Sequence, residues 1–363
     1  MSVPKLIIVG GFLGAGKTTL LGQARKELEN RGRKVGLITN DQAPGLVDTV
    51  FLGGDQAVVE VTGSCFCCNF PGFQKALSSL AAWGADIILA EPVGSCTDLS
   101  ATVMQPLKDL CKDQFGLTPF SVAVDPVRAQ EVLGTRKSLL HKDAQYILGL
   151  QLGEADIIVL NKIDLLSDSE KDELIKQLEA KFPQARVYAL SAREGQGVSH
   201  WLDELLASQE KPGHKLVDVD YDRYATGEAV LGWLNLTVDS SFQDRGGVRV
   251  LQVFLDKLKA YLKDKNMETG HVKVFWPCPE GTYIGNITDT HRPAVITEVK
   301  KKADGGPILV NARVESEPED LEKLITQILK EVGRETSLAV DIKDIYCLKP
   351  GRPNPTHRYG QVV

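Results

Sequence analysis

The sequence lacks any long apolar run. No stretch approaches the roughly 20 consecutive apolar residues that a membrane-spanning helix needs. Its first residues also lack the basic start and the small-residue cleavage site of a secretory signal, and the apolar stretch Leu6–Val9 is too short for one. We therefore expect a cytoplasmic protein with no membrane partner.

Basic residues do not outnumber acidic ones. The chain has 42 Lys and Arg against 48 Asp and Glu, which leaves a formal net charge of −6 at pH 7. This balance argues against broad binding to nucleic acid, because phosphate recognition draws on clustered positive charge. Histidine is also sparse, with six residues scattered along the chain, and this argues against a metal-storage tract.

Cysteine is unevenly distributed, since three of the seven cysteines occupy Cys65, Cys67 and Cys68. Residues this close are poor disulfide partners, and the odd number and the reducing compartment favour metal or redox chemistry. Thiolates suit Zn²⁺, Cu⁺ or another thiophilic ion, and three ligands with an open fourth position suit transfer better than permanent binding. The alternative is unliganded thiols, some of them ordinary core. Small core or surface positions are predicted for Cys96, Cys111, Cys278 and Cys347.

The chain of 363 residues, with 43% hydrophobic and 25% charged residues, can bury a sizeable core and is long enough for two domains. Residues 1–208 alternate between continuous apolar runs and helical stretches, which predicts a P-loop type, doubly wound α/β domain with a mostly parallel sheet. Ligands of such sheets bind at the carboxyl ends of the strands. The predicted strands are Leu6–Val9, Val35–Ile38, Ala57–Val61, Ile87–Ala90, Ser121–Val124, Ile157–Leu160 and Arg186–Leu190, and the predicted helices include Thr18–Asn30, Ser169–Lys181 and Val198–Ser208.

The pattern changes after residue 208. Residues 209–226 have the composition of a polar linker, and residues 227–348 combine strand-like runs with two amphipathic helices, Val248–Lys263 and Asp320–Val332. Two β-α-β units in succession predict a small α+β domain of the ferredoxin-like kind, with an open sheet face for a partner. Residues 349–363 form a Pro-rich, basic tail that either wraps onto the first domain or extends into solvent. The strands of this half are predicted at Ala229–Val238, His271–Trp276, Tyr283–Ile287, Ile308–Val314 and Ser337–Leu348.

The segment after the first predicted strand matches the pattern G-x-x-x-x-G-K-[ST], with Gly11, Gly16, Lys17 and Thr18 at the defining positions. Glycines let the loop turn its N–H groups onto phosphate oxygens, and the N-terminus of the following helix adds partial positive charge. Lys17 would reach the β and γ phosphates, and the Thr18 hydroxyl would coordinate Mg²⁺. A Gly-rich turn without a ligand is the alternative. The predicted nucleotide-binding residues of this loop are Gly11, Gly14, Ala15, Gly16, Lys17, Thr18 and Thr19.

The base is predicted to be guanine. Asn161, Lys162 and Asp164 follow a predicted strand, and the Asp164 carboxylate can accept hydrogen bonds from guanine N1–H and the 2-amino group. Adenine lacks that donor pair and would leave the carboxylate unpaired. Ser191 and Ala192 follow the next strand and complete the base site. These residues alone could also form a solvated loop, but their order after the phosphate loop predicts GTP and GDP as ligands.

A carboxylate that handles Mg²⁺ is expected at the end of a central strand, and Glu91 follows Ile87–Ala90 there. Glu91 would lie near Mg²⁺ or the attacking water, and the Gly94 N–H would meet the γ-phosphate. Helix capping is the alternative role of Glu91. No glutamine is clearly placed to orient a water, so we expect slow intrinsic hydrolysis that depends on a partner.

The loop Asn40–Asp48 follows another predicted strand and carries Asp41 and Asp48. Both are candidate switch carboxylates that respond to the γ-phosphate, and a plain surface turn is the alternative. The sequence thus predicts a catalytic group and a Mg²⁺ site. The catalytic group is Lys17, Glu91 and Asp41, and the Mg²⁺ site is Thr18, Asp41 and Glu91.

These motifs together resemble the CobW-type metallochaperone GTPases, relatives of the urease and hydrogenase accessory GTPases. The likeness covers about the first 207 residues and is most specific at the glutamate Glu91 and at the cysteine group. It depends on five features in order, which are Gly11–Thr18, Asn40–Asp48, Cys65-x-Cys67-Cys68, Glu91-x-x-Gly94 and Asn161-Lys-x-Asp164.

The resemblance implies GTP-dependent delivery of a transition metal, such as Zn²⁺ or Co²⁺, to a client protein or cofactor. It also implies a metal site at Cys65, Cys67 and Cys68, and it allows a nucleotide-dependent homodimer. The alternative is a GTP-dependent activation or remodelling factor for a cofactor enzyme, such as a corrinoid enzyme, without transfer of free metal. In that case the cysteines would be structural.

Overall fold

The structure is a computed structural model that describes residues 3–42, 47–52, 57–138, 140–242, 246–299, 306–336 and 338–363. Residues 43–46 of the predicted switch loop and Ser337, where the last strand is predicted to begin, lie outside the described residues. None of the described helices is both long and apolar enough to span a lipid bilayer.

The described elements alternate between strands and helices along the first half of the chain and are mostly strands in the second. A π-helical turn at Ser100–Met104 and a 3₁₀ turn at Ile163–Leu165 add to them. The strands are β1 (Lys5–Gly11), β2 (Val35–Asn40), β3 (Val58–Val61), β4 (Ile87–Ala90), β5 (Gly116–Leu117), β6 (Ser121–Val124), β7 (Ile157–Leu160), β8 (Arg186–Ala189), β9 (Leu231–Phe242), β10 (Thr269–Cys278), β11 (Gly281–Ile287), β12 (Val295–Val299), β13 (Ile308–Glu315) and β14 (Leu338–Leu348). The helices are α1 (Lys17–Asn30), α2 (Val47–Leu52), α3 (Phe70–Ala82), α4 (Gln105–Leu110), α5 (Pro126–Leu133), α6 (Lys142–Gly153), α7 (Asp168–Lys181), α8 (Val198–Ala207), α9 (Tyr221–Ala229), α10 (Gly247–Asp264) and α11 (Pro318–Glu335).

The chain divides into two compact units. The first unit comprises residues 1–42, 54–227 and 352–363, and the second comprises residues 43–53 and 228–351. Two segments therefore belong to a unit that is distant from them in sequence. Helix α2 belongs with the C-terminal half, and the last twelve residues (352–363) belong with the N-terminal half.

The first unit contains a parallel sheet in the order β3-β2-β4-β1-β6-β7-β8, with the short β5 beside β1. Its central strands are buried because helices cover both faces of such a sheet, and this explains their continuous apolar runs. Sequence signals also mark the helix starts. Ser167 and Glu170 form a capping box at α7, and Asp125 accepts N–H bonds at the start of α5. The predicted doubly wound, mostly parallel fold is confirmed.

The second unit contains an antiparallel sheet in the order β12-β11-β10-β13-β9-β14. Apolar side chains of α10 and α11 recur at helical spacing and pack with strand residues such as Val274 and Val310 in one core. The predicted separate α+β domain is thus present, and its sheet has six strands where the sequence predicted five. Strand β12 was not predicted, because its residues Val295–Val299 stay half-buried or exposed and carry no buried alternation.

The opposite face of this sheet contacts α2. Because side chains alternate along a strand, Phe275 and Leu309 point away from the core that contains Val274 and Val310. Val47 of α2 packs with them in a small apolar cluster, and its N–H donates to the Asn311 side chain at 2.8 Å. The sheet face that the sequence analysis left open for a partner is therefore occupied at this point.

Candidate functional site

The phosphate loop lies between β1 and α1, as the sequence predicts. Gly14 and Gly16 adopt left-handed backbone conformations, with φ of 79° and 90°. A Cβ built on Gly16 would lie 2.4 Å from the Asn161 amide nitrogen, so only glycine fits there. The Lys17 side chain is buried and its Nζ donates to the Phe12 carbonyl at 3.3 Å. An ammonium held inside a ring of loop backbone is the arrangement that phosphate oxygens require.

The end of β4 brings a carboxylate to this loop. The Thr18 hydroxyl donates to Glu91 Oε1 at 3.2 Å, and Lys17 Nζ lies 3.8 Å from the same oxygen. A Cβ built on Gly94 would lie 3.1 Å from Lys17 Nζ, so the Gly94 backbone closes one side of the cradle. No described helix begins between residues 91 and 98, and Glu91 therefore does not cap a helix. A hydroxyl and a carboxylate oxygen at this separation are suitable ligands for Mg²⁺.

Asp41 is buried at the carboxyl end of β2, with 3% of its surface exposed, so it does not lie in a plain surface turn. Its Oδ1 accepts a hydrogen bond from the Gln42 N–H at 2.7 Å. Strand β2 is the neighbour of β4, and the Glu91 N–H donates to the Ile38 carbonyl at 2.9 Å. Asp41 and Glu91 thus follow adjacent strands on the edge that carries the phosphate loop. Asp48, the other predicted switch carboxylate, belongs to α2 in the second unit.

The predicted base site forms around Asn161. Its amide nitrogen donates to the Ala15 carbonyl at 2.8 Å, and its oxygen accepts from Lys162 N–H and Ala192 N–H at 2.8 and 2.9 Å. Asn161 therefore links the phosphate loop to both base-site loops. Lys162, with a φ of 62°, extends over the loop and donates to the Gly14 carbonyl at 2.6 Å.

The exposed side chain of Asp164 lies beside these contacts. The Ser191 hydroxyl donates to its Oδ1 at 2.6 Å, which fixes the orientation of the carboxylate. A carboxylate that is oriented and exposed can accept hydrogen bonds from a planar donor pair. The five residues predicted for the base site, Asn161, Lys162, Asp164, Ser191 and Ala192, are thus joined by direct hydrogen bonds or adjacent in the chain.

The three crowded cysteines follow β3 and form one thiol group. The sulfurs of Cys65, Cys67 and Cys68 all lie within 4.8 Å of one another. The separation is 3.0 Å between Cys65 and Cys67 and 3.8 Å between Cys67 and Cys68. A tetrahedral ion with Zn–S bonds near 2.3 Å holds its sulfurs about 3.8 Å apart. The geometry of the thiols therefore fits a thiophilic ion with an adjustment of less than about 1 Å.

The three thiols differ in the direction in which their pKa is shifted. Hydrogen bonds from the thiols of Cys67 and Cys68 hold the pKa of Cys65 well below its usual range. The same contact with Cys65 raises the pKa of Cys67 and raises that of Cys68 to about 11. Among the three thiols, that of Cys65 is therefore the one that loses its proton most readily. A thiophilic cation would displace the remaining protons, because it stabilises the thiolate form of each ligand.

Asn40 connects the cysteine loop to the nucleotide side, a role that the sequence analysis missed. The Asn40 amide nitrogen donates to the Val61 and Ser64 carbonyls at 2.9 and 2.8 Å. Its oxygen accepts the Phe66 N–H at 2.9 Å. Asn40 is buried at the end of β2, directly before Asp41. The sequence signal that could have identified Asn40 is its position directly before Asp41, a predicted switch carboxylate.

Cys96 is a second addition to the predicted site. The sequence predicts a small core or surface position for Cys96, and the residue is indeed buried. However, its thiol also interacts with those of Cys65 and Cys67 and favours the thiolate of Cys65. Cys96 follows β4 and lies two residues after Gly94. The same short loop therefore contacts Lys17 through Gly94 and the clustered thiols through Cys96. The remaining cysteine of this unit, Cys111, lies outside the group and accepts from the Gln74 amide at 3.4 Å.

The chain is similar to known proteins over about its first half. The profile of the CobW/HypB/UreG nucleotide-binding domain matches residues 5–189. The zinc-regulated GTPase metalloprotein activator 1 of Schizosaccharomyces pombe is 29% identical over 185 residues, which cover 47% of this chain and 41% of that protein. The zinc chaperone YjiA of Escherichia coli is 28% identical over 187 residues, covering 48% of this chain and 55% of that protein. The chain thus spans about half the length of the curated relatives it matches.

Among solved structures, the Zn(II)-bound YjiA GTPase from E. coli aligns with 90% of this chain and 99% of that chain, at 17% identity and a TM-score of 0.36. HypB from Helicobacter pylori in complex with nickel aligns with 60% of this chain and 92% of that chain, at 16% identity and a TM-score of 0.41.

Proposed function

Because this chain belongs to the CobW/HypB/UreG family of nucleotide-binding proteins, we propose that it is a GTPase that couples its nucleotide state to metal binding. In this proposal the protein binds GTP and Mg²⁺, hydrolyses GTP slowly, and delivers a transition metal to a client protein or cofactor. The names of the curated relatives, which include zinc chaperones, support Zn²⁺ as the first metal to test.

One observation carries this proposal, and it is the position of Asn40 between the two halves of the site. Three hydrogen bonds join Asn40 to the loop that bears the thiols, and the next residue is Asp41. A displacement of the β2 end when Asp41 gains or loses a ligand would therefore move the Phe66 backbone. Since Phe66 lies between Cys65 and Cys67, the spacing of the sulfurs would change with the nucleotide.

The roles of the nucleotide-binding residues follow from their chemistry. Lys17 and the loop N–H groups would balance the charge of the β and γ phosphates. Thr18, Glu91 and Asp41 would hold Mg²⁺, which supplies positive charge between the phosphates when bound. Glu91 would also accept a hydrogen bond from the attacking water, and Asp164 would select guanine. Each of these residues is predicted to contribute to GTP binding or hydrolysis.

The thiol group would hold the metal as cargo rather than as a permanent part of the fold. Three sulfur ligands leave one position of a tetrahedral ion for a ligand of the client, so that the metal can pass by ligand exchange. We infer that GTP and Mg²⁺ favour one spacing of Cys65, Cys67 and Cys68. Hydrolysis would relax the end of β2 and weaken the hold of these thiols on the metal.

The decisive experiment measures the affinity of the purified protein for Zn²⁺ by competition with a chromophoric chelator. It is done with GDP and with a non-hydrolysable GTP analogue. We expect one Zn²⁺ per chain and at least a tenfold difference in affinity between the two nucleotide states. Cys67→Ser should abolish tight binding, and Cys111→Ser serves as the control because Cys111 lies in the same unit outside the thiol group.

Two results would contradict the proposal. Equal Zn²⁺ affinity in both nucleotide states would remove the coupling. Absence of stoichiometric metal would favour the alternative function, a GTP-dependent activation factor for a cofactor enzyme with structural cysteines. In that case client activation would survive replacement of Cys65, Cys67 and Cys68 by serine.

A further inference from the structure

The last residues of the chain, Arg352–Val363, form a segment that we name the C-terminal strap. The strap belongs to the first unit, the unit that contains the cysteines. It has no helix or strand. Its side chains are mostly exposed or half-buried, whereas Pro353 is buried. The strap is therefore held mainly by polar contacts, to which the His357 ring adds an edge-to-face contact with the Phe70 ring at 5.3 Å.

The strap crosses the cysteine loop and bonds to it directly. The Thr356 N–H donates to the Cys67 carbonyl at 2.8 Å, and the Thr356 hydroxyl donates to the Cys68 carbonyl at 3.1 Å. The Asn354 N–H donates to the Cys68 sulfur itself at 3.3 Å. These contacts engage the backbone of two of the three clustered cysteines and the sulfur of one. The strap therefore contacts two of the three candidate metal ligands directly.

Further contacts anchor the strap beyond the cysteine loop. Arg358 Nε lies 2.7 Å from Asp98 Oδ2, and the Asp98 side chain is almost fully buried. The Tyr359 N–H donates to the Ala101 carbonyl at 3.0 Å, within the π-helical turn, and the Tyr359 hydroxyl donates to Asp109 at 2.6 Å. The ion pair with a buried carboxylate is the strongest of these contacts, because a buried charge that loses its partner is costly.

The contacts that hold the strap can keep it docked, and they are few enough for it to detach while the rest of the unit stays folded. Apart from its two ion pairs and the contact between the His357 and Phe70 rings, the strap is held by individual hydrogen bonds that exchange for water at small cost. The strap contributes no strand to the parallel sheet, so its detachment would leave the sheet paired and would uncover a small apolar area that includes the Phe70 ring, against which His357 packs at 5.3 Å. The other strap ion pair, between Arg352 and Asp222, has 59% and 86% of its side-chain surface exposed and contributes little.

We propose that the C-terminal strap retains the metal at the thiol group. When docked, the strap fixes the Cys67–Cys68 backbone and the Cys68 sulfur in the ligand geometry, and it must detach before the metal passes to a client. Asn354 and Thr356 are then positioning residues of the metal site, and the ion pair of Arg358 with Asp98 keeps the strap docked. This inference rests on the proposed function, since it assumes that the thiols carry metal.

The first test measures the rate at which Zn²⁺ leaves the full-length protein for a chromophoric chelator. Arg358→Ala and Thr356→Val should each accelerate release, Arg358→Ala by about tenfold or more, whereas Arg352→Ala should stay within about twofold of the wild type. A chain truncated after Gly351 should release Zn²⁺ fastest. The two point variants keep the test valid if the truncated chain fails to fold.

A second readout needs no metal. In the metal-free protein, the half-buried Cys68 should react with iodoacetamide several-fold faster in Arg358→Ala than in the wild type or in Arg352→Ala. Mass spectrometry of the Cys68 peptide reports the rate, while a melting temperature within a few degrees shows that the fold is intact.

The outcomes separate the two proposals. If the wild type binds no Zn²⁺ and Cys68 is still alkylated faster in Arg358→Ala, the metal function is contradicted. The same result supports a strap that is docked on Cys68. Normal Zn²⁺ binding with unchanged release and unchanged alkylation in Arg358→Ala and Thr356→Val would overturn the strap proposal alone.

Discussion

Asp48 forms an ion pair with Lys273, whose ammonium nitrogen lies 2.6 and 2.7 Å from the two carboxylate oxygens. The two side chains are 16% and 18% exposed, so the pair is largely shielded from water. From its place in the sequence, Asp48 is a candidate switch carboxylate that responds to the γ-phosphate. In the structure this carboxylate is engaged within the second unit and helps to hold α2 on the sheet.

We predict that Lys273→Met destabilises the protein by about 1–3 kcal/mol, because it leaves the shielded Asp48 carboxylate without its cation. Adding Asp48→Asn should recover part of this loss. Urea unfolding of the single and double variants measures the coupling. Lys343→Ala is the control, since Lys343 and Asp341 form an exposed pair in the same unit that should contribute less than about 1 kcal/mol. Strictly additive losses for Lys273→Met and Asp48→Asn would contradict the prediction.

Gly16→Ala should lower nucleotide affinity at least tenfold. Its Cβ would lie 2.4 Å from the Asn161 amide nitrogen and would disrupt the hydrogen bond from Asn161 to Ala15. Gly32→Ala is a matched control, because Gly32 also has a positive φ of 74° but no atom within 4 Å of the added Cβ. Gly32→Ala should cost about 1 kcal/mol of stability from backbone strain and leave nucleotide affinity unchanged. Titration with a fluorescent GDP analogue distinguishes the two. Equal affinities would show that the Asn161 contact is dispensable.

Asn40→Ala should uncouple the metal site from the nucleotide. The substitution removes three hydrogen bonds to the cysteine loop and leaves the buried Phe66 N–H without an acceptor, at a cost of about 1–3 kcal/mol. The ratio of Zn²⁺ affinities measured with a GTP analogue and with GDP should then fall towards one.

Asn69→Ala provides the control for Asn40→Ala. Asn69 follows the same cysteines, but its side chain accepts the Gly72 N–H at the start of α3 and makes no contact with β2 in the described structure. Its loss should cost about 1 kcal/mol as a helix cap and preserve the nucleotide dependence of Zn²⁺ binding. If Asn40→Ala keeps the wild-type ratio of Zn²⁺ affinities with the GTP analogue and with GDP, coupling through Asn40 is refuted.

Glu154 should give the folding stability a distinct pH dependence. Complete burial raises the pKa of its carboxyl from 4.5 to about 8, and the nearby Asp98 charge adds to this effect. The Thr97 hydroxyl and the Ser100 N–H donate to its two oxygens at 3.0 and 2.8 Å. Because the pKa is higher in the folded state, the stability contribution of Glu154 is fully present below pH 4.5 and is lost as the pH rises to about 8.

Glu154→Gln should remove this loss, because an amide of the same shape does not titrate in this range. In the wild type, each pH unit inside that window lowers the free energy of unfolding by up to about 1.4 kcal/mol through this one group. Urea midpoints between pH 5 and pH 9 should therefore fall less steeply in Glu154→Gln than in the wild type. Parallel curves for the two proteins would show that Glu154 does not titrate as described.

Local patterns in the sequence predicted the fold of the first unit and identified its candidate nucleotide-binding residues. Strands such as β1 and β7 are continuous apolar runs, and a parallel sheet covered on both faces allows few other patterns. Gly16 and Lys17 are recognisable because the backbone of the phosphate loop needs these residue types within a few positions. The members of the thiol group were equally predictable, since Cys65, Cys67 and Cys68 are neighbours in the chain.

Contacts between distant parts of the chain could not be predicted in this way. Asn40 bonds to the cysteine loop because β2 and β3 are neighbours in the sheet, and the local pattern of either strand does not encode that order. Strand β12 escaped prediction for a related reason, because an edge strand buries too little surface to show an alternating pattern.

The sequence by itself thus determined which functional groups this protein carries, a phosphate-loop motif, a carboxylate that is predicted to select guanine and a group of thiols. Only the tertiary structure decided how these parts are connected. Asp48 and Lys273 are 225 positions apart, and Thr356 lies far along the chain from Cys67, yet each pair is in direct contact. Such contacts form because charged and backbone polar groups that leave water on folding need partners, and those partners come from whichever segments are close in space rather than close in sequence.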